Sequence, residues 1–193
     1  MLVPQVEFLL LGPLEARVGG REITFTAKRR ALLAALALEA GRVVSGDRLI
    51  EELWGDAVPA AAASRVRTLV ADVRKAFGTA GVILTRHPGY LLDLEHTELD
   101  VDVFSGLKQQ AALRHCEGRE DEAIEPLDRA SGLWRGDPLT DLYGPRAVSE
   151  VQRLLEERRS AIETRAELKL AQGRHAEVIA EHVTSRCTRR LRW

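Results

Sequence analysis

The segment 65-RVRTLVADVRKAFG-78 restricts the fold more than any other part of the chain. Val66, Leu69, Val70, Val73 and Phe77 recur at spacings of three and four, which on a helix lines all five along one face. Ser64, Thr68, Ala71 and Lys75 then point away from that stripe, and Arg65, Arg67 and Arg74 lie on its flanks. Such a helix needs an apolar partner on one side and leaves a polar, basic face on the other.

The preceding residues supply the partner. The runs 6-VEFLLLG-12, 14-LEARV-18 and 22-EITF-25 are β-favouring and separated by Gly12-Pro13 and Gly19-Gly20, which predicts a small antiparallel sheet. The run 28-KRRALLAALALEA-40 is built of strong helix formers and is followed by Gly41. Ser45 is placed to cap 47-DRLIEELW-54, whose Leu49, Ile50, Leu53 and Trp54 form an apolar stripe ended by Gly55. The turn 56-DAVP-59 leads into the amphipathic helix, and 82-VILTRHPGYLLDL-94 reads as a hairpin around His87-Pro88-Gly89. Two helices joined by a turn, a third helix with a basic face and a hairpin directly after it describe a winged helix-turn-helix. The exposed face has a width and chemistry suited to a DNA major groove, and the hairpin becomes the wing.

A formal net charge of −1 does not oppose that reading, because the first half is slightly basic and the second acidic. The pattern also changes character: residues 1–95 mix strands and helices, whereas 96–193 are helical throughout, so two domains are expected in an α+β chain. Asp100 or Asp102 is placed to cap a helix through Cys116, and 120-EDEAIEPLDRASGLW-134 forms the return helix with Pro126 as a kink or boundary. Pro145 is placed to start a long helix through Gln172. Antiparallel pairs of this kind suit a tetratricopeptide-like stack that leaves a groove for a partner.

Several classes are disfavoured. No run of about 18 apolar residues exists to span a bilayer, and the first residues lack a basic leader before their apolar run, so a cytoplasmic protein is expected. No phosphate loop, nucleophile elbow or HExxH-type pair occurs, and His87, His96, His115, His175 and His182 are scattered. We therefore expect no enzymatic activity, no cofactor and no metal. Cys116 and Cys187 lack metal-ligand spacing and read as small buried hydrophobes, without a thiolate-imidazole role for His115.

The segments 8-FLLLGPLEARVGGREI-23, 28-KRRALLAALALEAGRVVSGDRLIEELWGD-56 and 85-TRHPGYLL-92 resemble the Streptomyces antibiotic regulatory protein family. The resemblance continues through 99-LDVDVFSGLKQQA-111, 133-LWRGDPLTDL-142 and 173-GRHAEVI-179. It implies a transcriptional activator with an N-terminal winged helix and a helical bacterial transcriptional activation domain. The implied partners are promoter direct repeats in double-stranded DNA, bound by side-by-side protomers, and RNA polymerase, recruited to secondary-metabolite genes at the nucleoid. Carried over residue by residue, the resemblance makes Arg67 and Thr68 readers of base edges, with Ser64 and Ala71 on the same face. Arg65, Arg74 and Lys75 match phosphate-contacting positions, Arg86 a minor-groove arginine in the wing beside His87, and Tyr90 a residue that approaches the backbone. Asp56, Ala57, Val58 and Pro59 resemble a polymerase-contacting loop. Asp72 departs from the pattern, since the family commonly carries arginine there. An ion pair with Lys75, three residues on, or with Arg65 is the expected neutralising arrangement, the alternative being a carboxylate that accepts from a cytosine amino group. The family would continue after residue 179 through further helix pairs, whereas 183-VTSRCTRRLRW-193 turns polar and basic, as in a shortened form.

Two other readings use the same residues. One is a helical adaptor whose winged domain no longer binds DNA, for which Asp72 is the support. The other is the output half of a phosphorylation-controlled regulator, weakened by the lack of a receiver domain ahead of the winged helix.

Overall fold

A computed structural model describes residues 5–95, 97–140, 142 and 145–180. The expectations for His96, His182, Cys187 and the basic tail lie outside the described residues. The chain divides into two compact units, one of Met1–Val103 with Trp134–Leu154, the other of Phe104–Leu133 with Leu155–Trp193.

In the first unit, β1 (Val6–Leu9), β2 (Glu15–Val18) and β3 (Arg21–Ile23) form the expected antiparallel meander. The alternation of β1 buries Val6 and Phe8 completely. Helix α1 (Ala27–Ala37) follows and stops earlier than the composition of 28–40 suggests. Glu39 and Ala40 donate to the carbonyls of Leu36 and Ala37, three residues back, and this tighter winding ends the helix before Gly41. A strand that escaped the sequence reading, β4 (Val43–Ser45), leads into α2 (Gly46–Trp54). Ser45 caps α2 as expected, its Oγ accepting from Arg48 N–H at 3.2 Å.

Helix α3 (Ala62–Phe77) buries Val66, Val70, Val73 and Phe77. The Phe77 ring meets Phe8 of β1 and Phe25 at centroid separations of 5.6 and 5.5 Å, so the stripe is anchored on the sheet through aromatic contacts. The hairpin comprises β5 (Ile83–Arg86) and β6 (Gly89–Leu92), and β4 pairs with β6 to make a three-stranded sheet in the order β4-β6-β5. A second unforeseen strand, β7 (Thr97–Leu99), lies parallel to β1 and completes a four-stranded sheet, β3-β2-β1-β7.

Helix α4 (Asp100–Cys116) starts where β7 ends. Asp100 does not serve as the expected cap of its own helix. Its buried carboxylate accepts from the N–H of Leu10 at 2.6 Å and of Leu11 at 3.0 Å, just past the end of β1, with Arg135 Nη2 at 3.5 Å. Burial pushes this carboxyl above its ordinary range, against the pull of the two N–H groups and Arg135.

In the second unit, α5 (Glu120–Gly132) runs through Pro126 rather than breaking there. Proline removes the bond to the carbonyl four residues back, which is that of Glu122. Arg114 supplies the missing donor, its Nη1 lying 2.7 Å from the Glu122 oxygen. Replacing Arg114 with alanine should therefore cost about 1 kcal/mol in a Pro126 background and markedly less beside Pro126→Ala, where the helix restores its own bond. Equal costs in both backgrounds, measured by urea unfolding, would refute this compensation.

Helix α6 (Pro145–Ala171) begins at the expected proline, and residues 175–180 are again helical. Within the second unit, Asp128 of α5 receives Arg165 Nη1 at 3.1 Å and Lys169 Nζ at 3.3 Å from α6, and the Lys169 side chain is only 3% exposed. Cys116 is exposed, contrary to its expected burial, because it falls in the last turn of α4.

Candidate nucleic-acid interface

The solvent face of α3 is the one its periodicity marks out. Ser64, Arg65, Arg67, Thr68, Ala71 and Lys75 are all exposed, while Asp72 and Arg74 are half-buried on the flanks. The Thr68 hydroxyl donates to the Ser64 carbonyl at 3.1 Å. Its proton is thereby occupied, and the hydroxyl presents lone pairs and a methyl group outward. Arg65, Arg67 and Lys75 have no ion pair or side-chain hydrogen bond among the described residues. Several other exposed arginines are engaged: Arg119 with Glu122, Arg153 with Glu150 and Arg159 with Glu156. On the α3 face, three exposed cations have no carboxylate partner among the described residues and are left to solvent.

The single carboxylate of α3 is neutralised, though not as expected. Asp72 pairs with Arg29 at the start of α1, Nη2 to Oδ2 at 2.6 Å, rather than with Lys75 or Arg65. Asp72 sits on the flank of the apolar stripe, where α1 packs against α3, so a guanidinium from the neighbouring helix reaches it. Sequence reasoning missed Arg29 because helical spacing reveals only partners on the same helix. A cation near the start of α1, two helices earlier, was the available signal.

Arg74 is occupied as well. Its Nε donates to the Ile83 carbonyl at 2.9 Å, its Nη2 to Thr85 Oγ1 at 2.8 Å, and its guanidinium lies 6.0 Å from the centre of the Tyr90 ring. These contacts tie the last turn of α3 to both strands of the hairpin and leave less of the side chain for a phosphate. Arg86 and His87 are exposed at the hairpin tip, and Tyr90 is half-buried. Arg86 donates one Nη1 bond to the neighbouring Thr85 carbonyl at 3.2 Å. Arg67, Thr85, His87 and Tyr90 line one concavity between α3 and the hairpin, so Arg67 of the helix and His87 and Tyr90 of the wing share one surface.

Hairpin placement depends on Gly89. Ser45 of β4 stands opposite Gly89, and Gly46 N–H donates to the Pro88 carbonyl at 3.2 Å. In the turn between α2 and α3, Asp56, Ala57 and Val58 are exposed and Pro59 is half-buried, with Val58 presenting 52% of its surface.

Comparisons with known proteins agree with this architecture. Residues 20–92 match the family model described as transcriptional regulatory protein, C terminal, and residues 99–188 match the bacterial transcriptional activator domain. The chain is 38% identical over 185 residues to regulatory protein DnrI of Streptomyces peucetius, covering 89% of this chain and 68% of that protein. It is 36% identical over 178 residues to regulatory protein AfsR of Streptomyces coelicolor, covering 91% of this chain but 18% of that one. Among solved structures, Mycobacterium tuberculosis EmbR, determined with a low-affinity phosphopeptide, superposes with a TM-score of 0.86 at 31% identity, covering 98% of this chain and 52% of that chain. Among the described residues, no helix is long and apolar enough to cross a membrane and no cluster of side chains is suited to hold a metal.

Proposed function

This chain belongs to the Streptomyces antibiotic regulatory protein family of transcriptional activators, and on that premise we propose that it binds promoter direct repeats as side-by-side protomers and recruits RNA polymerase to secondary-metabolite genes. The observation that carries the DNA part is the unpaired basic face of α3 beside the wing. In this reading α3 lies in the major groove, where Arg67 and Thr68 meet base edges, while Arg65 and Lys75 hold phosphates and set the register. Arg86 reaches from the hairpin into the adjacent minor groove, whose negative potential favours a guanidinium. His87 flanks it, and Tyr90 supports the backbone side of the wing. Arg74 holds the wing at a fixed angle to α3 rather than acting mainly as an anchor to phosphate. The 56–59 turn is the polymerase-facing loop, and the second domain, 96–193, serves activation.

The ion pair between Asp72 and Arg29 supports DNA binding over the adaptor reading, since it removes the charge conflict that Asp72 would create. Arg29→Ala should then weaken binding to all sequences alike, and adding Asp72→Ala should restore most of the loss. Fluorescence anisotropy with specific and random duplexes distinguishes this from base reading by Asp72. In the latter case the double variant would lose sequence preference instead of recovering affinity.

The direct test is selection of fragments from sheared genomic DNA at two salt concentrations, with Arg67→Ala/Arg86→Ala run in parallel. Repeated motifs a helical turn or a multiple apart, recovered by the wild type and lost in the variant, are expected. Sequence-blind recovery by both proteins would leave the helical adaptor as the better account.

A further inference from the structure

Away from the α3 face, the first unit contains a cavity of about 320 Å³, within the size range of small-molecule sites, roughly 300–1,000 Å³. Its apolar floor is formed by Ala35 and Leu38 at the end of α1 and by Val44 of β4. Its walls are charged. Arg42 and Arg48 come from the β4–α2 region, and Arg146 and Arg153 from the part of α6 that belongs to this unit.

The charges do not cancel. Glu39 is shared between Arg48, at 3.5 Å, and Arg146, and Glu150 takes Arg153. Arg42 has no side-chain partner among the described residues. Glu52, the remaining acid of the lining, has its Oε2 shielded from solvent and without a hydrogen-bond partner. Burial, reinforced by Glu51 and Glu39, pushes the Glu52 carboxyl above its ordinary range. Four guanidinium groups therefore share the lining with three carboxyl groups, Glu39, Glu52 and Glu150, over an apolar floor.

We propose that this cavity binds a small organic anion, with its carboxylate, sulfonate or phosphate against Arg42 and Arg153 and its apolar body on Ala35, Leu38 and Val44. Guanidinium groups suit such anions because their planar donors pair with two oxygens at once. A neutral apolar molecule would leave these groups uncompensated, and an inorganic ion alone would leave the floor uncovered.

The test is a fluorescence titration of the full chain with anilinonaphthalene sulfonate, an aromatic monoanion, compared with uncharged phenylnaphthylamine. One saturable site per chain is expected for the anion and none for the neutral dye. In Arg42→Gln/Arg153→Gln, which removes both guanidinium groups set against the anion, binding should weaken about tenfold or more. Ser149→Trp, a change at an exposed lining residue that retains every arginine, should abolish binding by filling the space, and Arg159→Gln should change nothing. Equal binding of both dyes, no saturable site, or anion binding unmoved in both cavity variants would overturn the proposal.

Discussion

Gly89→Ala is expected to destabilise the chain by about 3 kcal/mol or more and to release the wing. A Cβ at this position would lie 1.8 Å from the Val44 carbonyl oxygen and 2.7 Å from the Ser45 Cα. Both are backbone atoms, so no rotamer change on a neighbour relieves the overlap. Ordinary overpacking in a core costs about 1–3 kcal/mol, and an overlap with a paired strand lies at or beyond the upper end. The cheapest escape is separation of β4 from β6, which breaks the three-stranded sheet and leaves the hairpin held by Arg74, by the Gly41 N–H bond to the Leu92 carbonyl and by packing of β6 on α1. Urea unfolding should show a lower midpoint. Duplex binding should lose the wing contribution of Arg86 while retaining the part due to α3. A midpoint within about 0.5 kcal/mol of wild type would mean that β4 and β6 do not approach this closely. Gly89→Ala and Arg86→Ala should therefore be similar in DNA binding and very different in stability.

The parts of this fold that the sequence announces are those decided within one or two turns of chain. The stripe of α3, the Ser45 cap, the hairpin around His87-Pro88 and the start of α6 at Pro145 all follow from spacings of a few residues, and the structure has each of them. The exposed face of α3 was legible for the same reason, since fixing the buried side of a helix fixes its other side. What escaped is long-range. Strands β4 and β7 have three residues each, too few to show alternation, and exist because a distant strand offers unpaired backbone groups. The ion pair expected for Asp72 was sought three and seven residues away, and its partner is 43 positions off. Arg74 was matched to a phosphate-contacting position by resemblance, and its flank position says nothing of its bonds to the hairpin that folds beside it. Pro126 offered a kink or a boundary, and the boundary is excluded because the compensating donor, Arg114, comes from another helix. Electrostatic partners across elements are decided by packing geometry, which one-dimensional periodicity does not encode.

Asp100 is the strongest case of this kind, and its removal is expected to have the largest effect on folding, about 3–5 kcal/mol for Asp100→Ala. Its side chain is 3% exposed. Its two oxygens take the N–H groups of Leu10 and Leu11, residues with no exposed surface at the end of β1. Truncation strands both donors away from water, each at a cost of about 1–3 kcal/mol. It also deprives Arg135 of an ion pair, though that guanidinium keeps Glu15 at 2.6 Å and the Pro13 carbonyl at 3.0 Å. The same junction is reinforced through the main chain, where Arg135 N–H donates to Leu11 and Leu139 N–H to Gly12. Asp100 thus joins the end of β1, the start of α4 and the 135–139 loop within the first unit. Asp100→Asn separates hydrogen bonding from packing. The amide preserves volume and one acceptor, but its NH₂ group must face an N–H donor. If acceptor chemistry governs, Asn should be nearly as damaging as Ala in urea unfolding. If the side chain mainly fills space, Asn should unfold close to wild type, and Asp100 would be a packing residue rather than the acceptor that terminates β1.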